Sequence, residues 1–279
     1  MRIPAALDAA TNLLVCPVCR ARGNPDVALT RQGTSLRCTG RHSFDIARQG
    51  YVNLAAAAEP ANADSAEMIA ARERFLGSGV YQPILDALVA ALPDTGFAAE
   101  VGSGPGWYLS GVLDAHPELV GLASDVSVSA AKRAAQHGLA SIVADTWAGL
   151  PICSGVLDAL VCVFAPRNAA EFARVLRPGG LLVVVFPTSR HLANLREELG
   201  LLDVQAGKQD TLGTQMAAAT FAPAGHELVE FSADCSQDQI RDLVAMGPNA
   251  FHTHPEDAVA ATIQVSVGVD LFRAPEVPH

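Results

Sequence analysis

The sequence predicts an α/β fold: a mostly parallel sheet preceded by a small N-terminal module organised around a metal. Three observations carry that prediction. From Phe97 onward short apolar runs alternate with helical stretches, the pattern of βαβ units. The first unit joins a strand, Ala98 to Val101, to a glycine loop, Gly102-Ser103-Gly104-Pro105-Gly106, with a helix from Trp107. Ahead of it, Cys16, Cys19, Cys38 and His42 read as Cys-x2-Cys, a gap, then Cys-x3-His.

Zn²⁺ takes four soft or borderline ligands at tetrahedral corners, and a Cys-x2-Cys knuckle supplies two of them from one tight turn. Arg31-Gln32-Gly33-Thr34 reads as a turn, so the second pair closes the site from a neighbouring hairpin. Four protein ligands leave no vertex for water, which predicts one structural zinc rather than a catalytic one. Two disulfides are the competing use of such a cluster. No signal-peptide core precedes it, since Asp8 and Asn12 interrupt the apolar residues, and a reducing, cytoplasmic setting is expected. Cys153, Cys162 and Cys235 are scattered and read as packing residues.

With 279 residues the chain can bury a substantial core. Its hydrophobic content of 50% and mean hydropathy of +0.25 raise the question of a membrane. Its longest apolar runs, such as Leu181 to Pro187, fall far short of the roughly 20 residues that span a bilayer. The net charge of −10 is unevenly spread. Residues 1–50 carry seven Arg against three Asp, a balance of +4, which leaves −14 for the rest. Guanidinium groups pair with phosphate through a bidentate fork and stack on bases, so Arg22, Arg37, Arg41 and Arg48 are candidate RNA contacts.

Along the chain, Ala55 to Asn62 is a connector of low information. Asp64 and Glu67 suggest a capping box for a helix running to about Leu76 and ended by Gly77. Arg72 and Arg74 on that helix are further candidate phosphate contacts. A second helix starts near Pro83, with an apolar stripe of Ile84, Leu85, Leu88, Val89 and Leu92. After the glycine loop, strands are expected at Leu119–Ser124, Ser141–Ala144, Ala159–Phe164 and Leu181–Phe186. A closing edge strand is expected at Thr262–Phe272.

Gly-x-Gly-x-Gly after an acidic residue, Glu100, departs from the dinucleotide fingerprint and is the order found in S-adenosylmethionine (SAM) methyltransferases. Asp125 lies 21 residues after Gly104, where a carboxylate accepts from ribose hydroxyls. Asp145, at the end of the next strand, could accept from an adenine amino group. An ordinary helix cap is the competing, less favoured reading of Asp145, and a competing reading of Asp125 as well.

At this point the chain resembles a known family, the bacterial 23S rRNA guanine-N1 methyltransferases. The resemblance rests on Cys16-Pro17-Val18-Cys19, on Arg41 to Leu54, on Asp64 to Met68, on Gly79-Val80-Tyr81-Gln82-Pro83, on Asp125-Val126-Ser127 and on Phe164-Ala165-Pro166-Arg167-Asn168. Phe164 to Asn168 and Ala245 to Pro248 look like the actinobacterial branch, some members of which confer resistance to tylosin-type macrolides. The resemblance implies zinc on Cys16, Cys19, Cys38 and His42. It also implies SAM contacts from Tyr81, the glycine loop, Tyr108, Leu109 and His191. It further implies a class I, Rossmann-like methyltransferase with a seven-stranded sheet, a 23S rRNA hairpin loop as substrate, and a homodimer.

The corresponding division is a zinc-binding RNA module at 1–58, a helical linker at 59–95 and a SAM-dependent methyltransferase domain at 96–279. Methyl transfer from a sulfonium is an in-line displacement that asks mainly for positioning. No Asn/Asp-Pro-Pro-aromatic motif follows the fourth strand, which disfavours an exocyclic adenine amine as acceptor. Cys162 sits in an apolar run and reads as core, and Phe251, within Gly247 to His254, is a candidate for the guanine pocket. Two other readings remain: a small-molecule methyltransferase, and an RNA-binding factor that retains the fold without catalysis.

Overall fold

The computed structural model describes residues 5–199, 208–247 and 258–276. The N-terminal module holds α1 (Ala5–Ala10), α2 (Pro17–Ala21) and a three-stranded antiparallel sheet of β1 (Thr30–Gln32), β2 (Ser35–Arg37) and β3 (Ser43–Asp45). The turn between β1 and β2 pairs Gln32 with Ser35 around Gly33 at φ +63°, the left-handed geometry that favours glycine. Next come β4 (Val52–Asn53), α3 (Ala66–Gly77) and α4 (Gln82–Ala91).

The remaining elements alternate as expected: β5 (Thr95–Val101), α5 (Trp107–Ala115), β6 (Glu118–Asp125), α6 (Val128–Gln136), β7 (Ala140–Val143), β8 (Leu157–Val163), α7 (Ala169–Val175) and β9 (Leu176–Pro187). They are followed by α8 (Ala193–Leu199), α9 (Lys208–Ala218), β10 (Ala222–Cys235), α10 (Gln237–Ala245) and β11 (Ala261–Arg273). The strand order is β10-β11-β9-β8-β5-β6-β7-β4, parallel from β9 to β4 and antiparallel at β10 and β11.

Two sequence expectations need correction, and a third is extended. The seven expected strands are β5 to β11, and among the described residues β4, from the N-terminal module, adds an eighth by pairing Val52 with Ile142 and Asn53 with Val143 on the outer side of β7. The last strand, β11, is not an edge, because β10 pairs along its whole length and takes the edge position itself. The cap of α3 is Ser65, whose hydroxyl accepts from the Met68 amide at 3.3 Å. Asp64 is thereby released to pair with Arg72 at 2.6 Å.

Strand β8 shows how the sheet is covered. Side chains alternate across a strand, so Leu160 and Cys162 face one layer while Ala159, Val161 and Val163 face the other. The second layer contains Ile84 and Leu88 of α4 and Ile240 and Val244 of α10. The first contains Phe172 of α7 together with Leu7, Leu14, Leu29, Leu36 and Ile46 of the N-terminal module. The module therefore shares its apolar core with the large sheet. Two further ties fix it: a bridge between Leu14 and Ile152, and an Arg20–Glu171 ion pair at 2.8 Å.

Candidate functional site

Strands β5 and β8 are adjacent, and the chain leaves them in opposite directions across the sheet, which opens a crevice at their carboxyl ends. The glycine loop lies there. Gly102, Gly104 and Gly106 have φ of +65°, +54° and +79°, the left-handed region in which a side chain is strained. A Cβ on Gly102 would come within 2.3 Å of Ala165 Cβ, and one on Gly106 within 2.3 Å of Leu139. The loop is thus held by packing from β8 on one side and from the end of α6 on the other.

Two carboxylates pin it electrostatically. Glu100, almost wholly buried, accepts from the Leu109 amide at 3.1 Å. Burial pushes its carboxyl up to about 8, with the Leu109 hydrogen bond opposing. Asp125 accepts from the amides of Gly104 and Ser127, both at 2.8 Å. Burial raises its pKa too, against those two hydrogen bonds and the Arg72 cation. Asp145 sits half-buried after β7 and accepts from the Trp147 amide at 2.9 Å, so in this structure it organises a turn and caps no helix.

Arg72 stands over the loop. A Cβ on Gly104 would lie 3.0 Å from its Nη1, and its Nη2 donates to the Met246 carbonyl at 2.7 Å. That guanidinium faces the crevice, tying Asp64 to the end of α10. Arg74 pairs with Asp242 of α10 at 2.5 Å.

On the far side of the crevice, Tyr81 and His191 meet at 3.4 Å, hydroxyl to Nε2. The Ser266 amide donates to Nδ1 of His191 at 3.3 Å, so the ring proton resides on Nε2. Burial pushes His191 down to about 4, keeping it neutral. The imidazole therefore donates toward Tyr81 and has no free lone pair with which to accept a proton. Cys162 is also excluded from chemistry, since burial pushes its thiol up to about 12. Phe164, directly after β8, completes an aromatic group with Tyr81 and His191, its centroid 6.5 and 5.9 Å from theirs.

The sequence did not single out Ser103, Ser124, Ser266 or the orientation of Arg72. Ser103 Oγ, Tyr108 OH and Ser124 Oγ are buried in and beside the loop without a hydrogen-bond partner among the described residues. Phe251 lies outside the described residues, as do Pro248 to His254 in general.

At the other end of the module, the Sγ atoms of Cys16, Cys19 and Cys38 and Nδ1 of His42 lie within 4.8 Å of one another. Zn–S and Zn–N bonds of about 2.3 and 2.05 Å give tetrahedral edges of about 3.8 Å between sulfurs and about 3.6 Å from sulfur to nitrogen. The observed edges are 3.7 Å between Cys19 and Cys38 and 3.3–3.4 Å from each sulfur to His42. The Cys19 amide donates to Cys16 Sγ, which orients the first ligand. Gly40 has no Cβ because one would fall 2.9 Å from Cys19 Sγ. The donors fit one closed structural zinc. Around it Arg22, Arg37, Arg41 and Arg48 are exposed. Arg20 and Arg31 are taken up by Glu171 and Asp8.

Residues 14–58 match the N-terminal zinc-ribbon family model of RlmA. A Micromonospora griseorubida protein named as a 23S rRNA (guanine-N(1)-)-methyltransferase is 42% identical over 94% of each chain. The 23S rRNA (guanine(748)-N(1))-methyltransferase of Streptomyces fradiae is 39% identical over 88% of each. The chain belongs to the 23S rRNA (guanine-N1)-methyltransferase family. The YcgJ protein of Bacillus subtilis, 13% identical, superposes with a TM-score of 0.51 over 69% of this chain and 98% of its own, and shares the class I fold.

SAM is the cofactor of this methyltransferase family, and the crevice fits it. Three hydroxyls buried in and beside the glycine loop, Ser103, Tyr108 and Ser124, have no hydrogen-bond partner among the described residues and can take one from a ligand. Two buried carboxyl groups, Glu100 and Asp125, flank the loop and would suit a ligand that carries a sulfonium and an ammonium. Among the described residues no helix is long and apolar enough to cross a membrane.

Proposed function

We propose that the protein methylates N1 of a guanine in a 23S rRNA hairpin loop near the peptide exit tunnel, and that this modification protects against tylosin-type macrolides. One observation carries the reading: kinship at 42% identity along 94% of a chain that itself carries the glycine loop and the four zinc donors. SAM supplies an electrophilic methyl group. The residues of the crevice position it: Glu100, Gly102, Gly104, Gly106, Tyr108, Leu109, Asp125 and Asp145 along the loop and its flanking strands, with Tyr81 and His191 opposite. Because His191 donates through Nε2, it orients Tyr81 and leaves that hydroxyl's own proton free to bind outward. The exposed arginines of the zinc module suit phosphate, and a homodimer would place two such modules about one hairpin.

The test is methyl transfer from labelled SAM to unmodified 23S rRNA, read by primer extension. A methyl on N1 blocks Watson–Crick pairing, so a new stop at a loop guanine is the expected result. Incorporation without a stop would remove the N1 assignment. Absence of incorporation, with SAM binding verified, would favour a small-molecule acceptor.

A further inference from the structure

Phe164 combines three features that packing alone does not explain. Its ring is 43% exposed although it follows a buried strand in the middle of the sheet. Its backbone is left-handed at φ +53°, a conformation strained for a bulky residue and relieved by glycine. Both sides of it are fixed: its amide donates to the Val185 carbonyl at 3.0 Å, and Ala165 packs against Gly102 of the glycine loop. A strained, rigidly held aromatic ring is thus presented at the mouth of the crevice, tilted 30° to His191.

We propose that Phe164 is the stacking platform for the target guanine, holding the extruded base with N1 toward the cofactor crevice; this rests on the guanine-N1 reading above. A purine presents a π-face to an aromatic ring whatever its edge pattern, and each such stack is worth roughly a five- to hundredfold change in affinity. The strain is retained because a glycine there would relax the backbone and remove the platform.

The experiment compares wild type, F164G, F164L and F164Y on a loop hairpin RNA and on the same hairpin with an abasic target position. Expected are loss of methylation with F164G and F164L by at least about tenfold, retention with F164Y, an unchanged SAM Kd by calorimetry, and a Tm for F164G at or above wild type. On the abasic hairpin, F164G should bind as wild type does, because the lost contact is to the missing base. F164L as active as wild type, or a binding deficit of F164G that persists on the abasic RNA, would overturn the stack while leaving the enzyme's function intact. A matching rise in SAM Kd would reassign Phe164 to the cofactor. A wild type that leaves the hairpin unmethylated overturns both readings.

Discussion

Glu171 accepts from Arg20 at 2.8 Å through one carboxylate oxygen, from the Leu150 amide through the other, and from Arg174 through both, joining the zinc module to α7. Burial works against its charge, but Arg174 more than compensates and holds the carboxyl below its usual range. Removing it leaves two guanidinium groups, 21% and 19% exposed, without their counter-charge. Glu171→Ala should destabilise the protein by about 2 kcal/mol, less than a fully buried pair because solvent reaches these groups. Urea unfolding checks this; a midpoint shift matching that of a surface control such as Asp94→Ala would contradict it.

Zinc should stabilise the whole chain, since Cys16 and Cys19 belong to the same apolar layer as Val101, Leu122 and Leu160. Chelation, or Cys16→Ser, is expected to lower one cooperative melting transition by about 10 °C and to weaken SAM binding with it. Calorimetry with metal analysis reads both. Two separated transitions, with SAM binding intact, would mean that residues 1–58 unfold alone.

Glu100 predicts opposite pH trends for stability and for cofactor affinity. Its unfolded carboxyl releases a proton near 4.5, whereas the folded one holds it to about 8. Stability from this group is therefore fully present below 4.5 and declines as pH rises toward 8. Over the same range the site becomes anionic and attracts a cationic ligand, so SAM affinity should rise. Glu100→Gln should flatten both profiles. A SAM Kd in wild type that does not change between pH 6 and pH 9 would sink the assignment.

Arg72 provides a test that separates cofactor from RNA. Its guanidinium lies over Gly104, with Asp64 and the Met246 carbonyl as partners. Arg72→Met should weaken SAM binding by about tenfold, the scale of one charge-assisted hydrogen bond, and leave binding of the RNA hairpin nearly unchanged. The reverse pattern would assign Arg72 to a phosphate contact.

Much of the fold was legible because its cause is local. Strands β5 to β9 are apolar runs buried on both faces, and the loop between β5 and α5 requires glycine at three left-handed positions. The zinc donors were legible for the same reason, since ligand spacing is a property of adjacent residues. Elements defined by a distant partner were not. Strand β4 is two residues long and exists because Ile142 and Val143 pair with it. Strand β10 is exposed from Ala222 to Leu228, so no buried face imprints an alternation on that half. The direction of Arg72 depends on Met246, and the burial of Ser266 depends on Glu230, to which its hydroxyl donates at 2.6 Å. Such contacts leave no periodic trace.

The pairing of Val52 with Ile142 also has a temporal side. The N-terminal module leaves the ribosome before β7, so its fourth strand has nothing to pair with until β7 has been made. Leu14 must likewise wait for Ile152, and Arg20 for Glu171. The metal-binding end is therefore translated early and completed late. During that interval captured zinc would be its main source of order, so metal supply during synthesis should govern the yield of active protein.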